Sequence, residues 1–133
     1  MRLIIASDGA HSVVPEIADG MHVDLRSAEE AAMRLAAGLA DTAIDAVLAA
    51  DDVTVEIASR AAAALGRAHN PVAAVRSARR KDLARAALAA AGVPVPEFRR
   101  LDLARPLGAQ IAGVRFPCVV KPLAMAASRG VIR

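Results

Sequence analysis

Short apolar runs alternate with helix-type segments through the first half of the chain, and this order restricts the fold more than any other feature. Residues 2–6 are rich in branched side chains and lead into Ser-Asp-Gly, which predicts a strand and a turn. Further strands are predicted at residues 21–25 and 44–50. Strands and helices that alternate through short connections form right-handed βαβ units around a parallel sheet. We therefore predict an α/β fold that begins with a Rossmann-like parallel sheet domain.

The helices of the first half are predicted from their end signals. Ser27 offers a capping hydroxyl, and Glu29 and Glu30 follow in the first turn, where the helix dipole favours carboxylates. Asp51 or Asp52 is expected to cap a second helix, which continues to Gly66. Because these aspartates follow a predicted strand, ligand binding at its carboxyl end is the alternative role for them.

The second half has a different pattern, with short helices and prolines. One helix is predicted after Pro71 and another over residues 81–91, where Gly92 stops it. Its inward face is expected to consist of Leu83, Ala87 and Leu88. The remaining elements are a rigid connector at 93–96, a strand at 98–101, a helical turn or two at 106–112, a strand at 116–122, a loop at 123–130 and a strand from 131.

The composition places the chain among folded globular proteins and excludes several other classes. Hydrophobic residues make up 56% of it and charged residues 23%, whereas disorder requires low hydrophobicity and high net charge. Charges interrupt every apolar run before the roughly 18 residues that a membrane-spanning helix needs. The first apolar stretch is too short for a secretory leader, and a single cysteine fits a reducing compartment. We therefore expect a cytoplasmic protein with no membrane span.

Positive and negative charges are divided unequally along the chain. Residues 1–66 hold four basic and eleven acidic side chains, whereas residues 67–133 hold thirteen and three. The basic half favours an anionic ligand, such as a nucleotide, a nucleic acid or a phosphorylated metabolite. Neutralisation of one half by the other across an internal interface is the equal alternative. Nucleic acid is the weakest partner, because the chain has only two phenylalanines, and no other aromatic ring, to stack on bases.

Lysine is rare in this basic sequence. Fifteen of the seventeen basic residues are arginine, and the two lysines are Lys81 and Lys121. A lysine ammonium is a compact point charge on a flexible stem, whereas a guanidinium is a planar fork, and phosphate sites often use the ammonium. The two lysines are therefore candidates for phosphate binding. The alternatives are a helix-start residue beside Asp82 for Lys81 and a solvated strand end for Lys121.

Four stretches of the second half, taken in order, resemble a known family. They are Asn70-Pro71 through Arg80-Lys81-Asp82, then Ala91-Gly92-Val93-Pro94-Val95-Pro96, then Phe116-Pro117-Cys118-Val119-Val120-Lys121-Pro122, and then Ser128-Arg129-Gly130-Val131. In this order they are similar to the opening of an ATP-grasp domain of the carboxylate-amine ligases, which include biotin carboxylases and amino-acid ligases. The resemblance implies a Rossmann-like domain at residues 1–78, followed at 79–133 by the truncated start of an ATP-grasp domain.

The resemblance also implies a nucleotide site. In the family, lysines at the positions of Lys81 and Lys121 contact the ATP phosphates or the adenine pocket, and the loop that follows closes over the phosphates. Ser128, Arg129 and Gly130 are therefore candidate ATP-binding residues, although Ser128 and Arg129 would equally suit an ordinary polar loop. The family loop is usually rich in glycine, whereas in this chain Met-Ala-Ala stands at 125–127.

The family reaction uses ATP to convert a small carboxylate into an acyl phosphate, which an amine attacks to form a carbon-nitrogen bond. Mg²⁺ neutralises the phosphates, and acidic side chains hold it. Asp102 is the last acidic side chain of the sequence. We therefore expect the metal ligands outside this chain and assign no catalytic residue. The chain is interpreted as a truncated ligase, and a second copy in a homodimer or a different partner chain could supply the missing part. The alternative is a nucleotide- or metabolite-binding module without catalytic activity.

Histidines and the cysteine give no sign of a metal site. His11, His22 and His69 lack the spacing of metal ligands, so they are interpreted as surface or core residues. Cys118 is interpreted as a small buried hydrophobic residue in its strand.

Overall fold

The computed structural model describes residues 2–9 and 19–133, so His11 lies outside the described residues. The chain divides into two compact units, Met1–Arg76 and Ser77–Arg133. The assignment of residues 1–78 to a Rossmann-like domain and of residues 79–133 to the beginning of an ATP-grasp domain stays a prediction.

A two-stranded parallel sheet opens the first unit. Strand β1, Ile4–Ser7, pairs along its whole length with strand β2, Asp19–His22. The next residue, Val23, is fully buried and donates its N–H to the Ser7 carbonyl at 2.9 Å. A parallel sheet is thus present, as predicted, with these two strands. β2 begins two residues before the predicted position, because pairing with β1 outweighs the low strand preference of its first two residues.

The two helices predicted for the first unit both form. Helix α1, Ala28–Gly38, begins after Ser27, whose hydroxyl accepts the N–H of Glu30 at 3.4 Å, as predicted. Helix α2, Val55–Ala64, follows Asp51, whose carboxylate accepts two backbone N–H groups at 2.8 and 2.9 Å. The N-cap of α2 is Thr54, which makes no side-chain cap bond, so the prediction that Asp51 or Asp52 caps this helix is wrong. Asp51 instead holds the turn that leads into the helix.

The strand predicted at residues 44–50 is absent, so that prediction is wrong. Ile44 and Val47 are half-buried and lie three residues apart, whereas Leu48 is 88% exposed. A strand directs alternate residues to one face, which this spacing does not do. Val47 packs against the core from an irregular segment instead.

Small side chains dominate the core of the first unit. Alanines on α1 and α2 are buried together with a few larger residues, and they allow the backbones of these two helices to approach closely. The buried core cluster consists of Val23, Ala31, Ala32, Leu35, Ile57 and Ala61. The core therefore joins the residue after β2 to both helices.

One buried carboxylate links two helices of the first unit. Helix α3 covers Val72–Arg79, and the division between the units falls within it. Glu56 on α2 accepts hydrogen bonds from Arg60 at 3.0 Å and from Arg76 on α3 at 2.8 Å, and its side chain is 11% exposed. Burial raises the pKa of Glu56, but the two guanidinium groups outweigh this effect and hold the pKa below its usual value. The charged carboxylate therefore ties α2 to α3.

The second unit contains two helices close to their predicted positions but has no buried core. They are α4, Lys81–Ala90, and α5, Leu107–Ile111. None of residues 77–133 is buried. The predicted inward face of α4 is exposed, at Leu83, Ala87 and Leu88. That prediction is wrong, because helical spacing creates an inward face only where another element covers it.

Hydrogen bonds to backbone carbonyls replace the strand predicted at residues 98–101. The guanidinium of Arg99 donates to the carbonyls of Gln110 and Ala112, both at 2.8 Å. The side-chain amide of Gln110 donates to the Asp102 carbonyl at 2.9 Å and accepts the Asp102 N–H at 2.8 Å. These bonds fold residues 99–112 back on themselves around α5, so the strand prediction is wrong.

The helices of both units are short. The longest one in residues 2–9 and 19–133 is α1, with 11 residues. No helix in this part of the chain has the length and apolar character that crossing a membrane requires.

Candidate functional site

The candidate site is a loop of residues 121–131, which we call the site loop. Val120 donates its N–H to the Ile132 carbonyl at 2.8 Å, and Ile132 donates to the Val120 carbonyl at 2.9 Å. These bonds form a single antiparallel bridge, so the strand predicted at residues 116–122 is reduced to one paired residue. The loop predicted at 123–130 is present, and the bridge brings its two ends together.

The site loop contains two successive turns with left-handed backbone angles. Ala127 and Ser128 have φ values of 54° and 56°, and Gly130 has 69°. Arg129 donates its N–H to the Ala126 carbonyl at 3.2 Å, and Val131 donates to the Ser128 carbonyl at 3.3 Å. The left-handed conformation costs a residue with a Cβ roughly 1–2 kcal/mol. The loop therefore takes glycine-type angles at two positions where the sequence has no glycine, and other contacts must hold it there.

Gly130 is required at its position for two separate reasons. Its φ of 69° disfavours any side chain, and an added Cβ would lie 2.8 Å from Cγ of Pro122. That distance is shorter than real Cβ contacts, so the Pro122 ring or the loop backbone would have to move. The end of the site loop thus packs directly against its beginning.

Lys81 is the first residue of α4 and holds the site loop at two points. Its backbone N–H donates to the Leu123 carbonyl at 3.0 Å. Its Nζ donates to the Met125 carbonyl at 2.7 Å. One residue thus fixes two loop carbonyls that are two positions apart in the sequence, and the ammonium lies at the site loop.

Arginines engage the Asp82 carboxylate beside Lys81. Arg80 donates to both carboxylate oxygens of Asp82, at 3.0 and 2.8 Å, and Arg100 lies 4.0 Å from the same carboxylate. Hydrogen bonds from Arg80 hold the pKa of Asp82 below its usual value. Lys81 is thus a helix-start residue beside Asp82, as the alternative to phosphate binding expected, and its ammonium also bonds the site loop.

The remaining predicted residues lie on the same loop, with their side chains in solvent. Lys121, Ser128 and Arg129 are exposed. Within the described residues 2–9 and 19–133, no hydrogen bond or ion pair involves these three side chains. The structure thus brings Lys81 to the loop that carries Lys121, Ser128, Arg129 and Gly130. Whether any of them contacts a nucleotide stays a prediction.

Sequence reasoning missed the carbonyls that hold Lys81 and the contact between Pro122 and Gly130. Backbone carbonyls leave no mark in a sequence, and Lys81 and Met125 are 44 positions apart. Gly130 carried a weak signal, because glycine is typical of turns.

Cys118 was predicted to be buried but is half-buried. It lines an open groove of about 580 Å³ together with Phe116, Val120 and Ile132.

The donor chemistry of the site loop fits a phosphate group and does not fit a metal ion. Residues 77–133 hold eleven basic and three acidic side chains, and the ammonium and guanidinium groups on the loop are donors suited to phosphate oxygens. Mg²⁺ needs carboxylate ligands. In the described part of the chain, no three His, Cys, Asp or Glu side chains lie close enough together to hold a metal ion, so we assign no step to Mg²⁺ there.

Comparison with solved structures identifies a similar fold. The crystal structure of an L-amino acid ligase from Bacillus licheniformis matches 100% of this chain with a TM-score of 0.77 and 21% sequence identity. The chain spans 32% of the length of that ligase. At this identity the likeness concerns the fold alone, and it supports the ATP-grasp-like fold expected from the sequence. No protein-family model and no curated protein matches the chain.

Proposed function

We propose that the site loop and Lys81 bind the phosphates of ATP, and that the chain serves an ATP-dependent ligation of a carboxylate to an amine. The observation that carries the proposal is the hydrogen bond from Lys81 Nζ to the Met125 carbonyl at 2.7 Å. This bond brings the ammonium of Lys81 to the site loop. The other lysine of the chain, Lys121, is the first residue of the same loop. Two ammonium groups at one loop suit a polyphosphate, which carries several negative charges within a few ångströms.

The charge around the loop supports the same ligand. Residues 103–133 contain no acidic side chain, and the Asp82 carboxylate near the start of α4 is already engaged by Arg80. An incoming phosphate therefore meets donors without a competing carboxylate on the loop. Exposed Lys121 and Arg129 can turn toward it, and the backbone N–H groups of a loop with left-handed residues can add further donors.

The likeness to an L-amino acid ligase suggests the class of carboxylate. We propose that the substrate is an amino acid and that ATP supplies the phosphoryl group that activates its carboxylate. The residues of this chain contribute binding and orientation of the phosphates. The metal-binding acids and the carboxylate site that the reaction needs are placed outside residues 1–133, in further sequence or in a partner chain.

Calorimetric titration of ATP into the full chain tests the phosphate role. Replacement of either ammonium by a neutral side chain, in Lys81→Met and Lys121→Met, should weaken binding about tenfold, which corresponds to 1.4 kcal/mol. Arg105→Gln removes the same charge from the same unit at a residue that is not on the loop, and it should change the affinity less than twofold. Absence of ATP binding, or an equal loss in Arg105→Gln, would refute the proposal.

A second measurement separates ligation from binding alone. Release of ADP from ATP is followed with the chain, Mg²⁺ and a mixture of L-amino acids. Binding of ATP with no ADP release fits a chain whose metal-binding acids lie elsewhere, and it is also what a non-catalytic nucleotide-binding module would give. Turnover at an ordinary enzyme rate by the chain alone would contradict our placement of those acids.

A further inference from the structure

The Lys81 ammonium donates one of its hydrogen bonds to the protein itself. A lysine ammonium has three N–H donors, and Lys81 directs one of them to the Met125 carbonyl at 2.7 Å. Two donors remain for other acceptors. Because the side chain is already held at its tip, the ammonium does not sample the range of positions open to a free lysine.

The site loop depends on bonds from outside it. Ala127 and Ser128 hold left-handed angles that disfavour side chains, and the turn bonds within the loop are long, at 3.2 and 3.3 Å. The two bonds from Lys81 are shorter, at 3.0 and 2.7 Å. Lys81 therefore anchors the first part of the loop, next to the segment whose conformation is strained.

We infer that Lys81 is a positioning residue that joins the site loop to the bound phosphates: one ammonium N–H holds the Met125 carbonyl while the other two donate to phosphate oxygens. This inference rests on the proposed ATP site. Its consequence is that phosphate binding and ordering of residues 126–130 are one event. A phosphate that takes the two free donors fixes the ammonium further, and the ammonium fixes the loop backbone.

Amide hydrogen exchange of the Arg129 and Val131 N–H groups tests this inference, because both donate within the strained turns. In the chain without nucleotide, Lys81→Met should speed their exchange about fivefold or more, since a hydrogen bond from a charged group is lost. Arg105→Gln should leave it unchanged, because the Arg105 side chain lies off the loop and makes no hydrogen bond or ion pair with the described residues. The amide of Ala91, at the end of α4, reports whether the helix is still folded in each variant.

Saturation with a non-hydrolysable ATP analogue gives the deciding comparison. In the wild-type chain and in Arg105→Gln, the analogue should slow exchange of the two loop amides about tenfold. In Lys81→Met, saturated at a higher concentration, it should not slow them. Equal slowing in Lys81→Met, or unchanged exchange of that variant without nucleotide, overturns the inference while leaving the ATP site intact. Absence of analogue binding in the wild-type chain removes the proposed function, and this inference with it.

Discussion

Substitution of Gly130 by alanine separates two costs that the structure assigns to one position. The φ of 69° alone should cost about 1–2 kcal/mol for a residue with a Cβ. The contact of 2.8 Å between the added Cβ and Pro122 Cγ should add about 1–3 kcal/mol, as in other overpacked sites. We therefore expect the bridge between Val120 and Ile132 to lose roughly 2–5 kcal/mol of local stability, the sum of both.

Hydrogen exchange of the Val120 and Ile132 amides measures this loss, because both N–H groups form the bridge that closes the site loop. Gly92→Ala is the matched control for the angle. Gly92 has a φ of 75° and nothing within 4 Å of an added Cβ, so only the cost of about 1–2 kcal/mol should appear, at the amides that end α4.

A double-mutant cycle isolates the contact with the proline ring. Pro122→Ala should recover about 1–3 kcal/mol of the Gly130→Ala loss, while the cost of the left-handed angle remains. If Gly130→Ala costs no more than Gly92→Ala, or if Pro122→Ala recovers nothing, the close packing of the loop ends is refuted.

Two further predictions concern the first unit. Glu56→Gln should lower the free energy of unfolding in urea by about 2–4 kcal/mol, because it leaves two guanidinium groups without their buried carboxylate. The control Arg2→Gln breaks the exposed pair with Asp19 and should cost less than about 1 kcal/mol. Equal losses in the two variants would show that burial is irrelevant. The pKa of Glu56 is lowered, and hydrogen bonds with Arg26 lower the pKa of Asp24 to about 2. The stability that these two carboxylates contribute is therefore present above their pKa values in the unfolded chain, about 4, and is lost as the pH falls through their pKa values in the folded chain. The urea midpoint should therefore drop between about pH 5 and 2, with a smaller drop in Glu56→Gln, and an equal drop in that variant would contradict the reasoning.

Local signals in the sequence predicted local structure well. Ser27 followed by two glutamates gave the start of α1, because a cap and its helix are neighbours in the chain. Gly66 and Gly92, with φ values of 67° and 75°, stand where the sequence predicted helix ends. Such features need no partner from elsewhere in the fold.

Features that depend on distant partners were predicted poorly. Residues 44–50 have strand-type composition but pair with no strand, and α4 has helical spacing but no element over its apolar face. The same limit applies to the candidate site. Sequence and family resemblance selected Lys81 and the loop separately, whereas the hydrogen bond between Lys81 and Met125 joins residues 44 positions apart. Only the fold could show that bond.

The second unit has an unusual thermodynamic consequence. Side chains bonded to backbone carbonyls, those of Lys81, Arg99 and Gln110, help to order it, and residues 77–133 are all exposed or half-buried. The heat capacity change of unfolding arises from apolar surface that becomes hydrated. Residues 77–133 should therefore contribute less of it per residue than Met1–Arg76, so that the stability of the second unit, with its candidate loop, should vary less steeply with temperature.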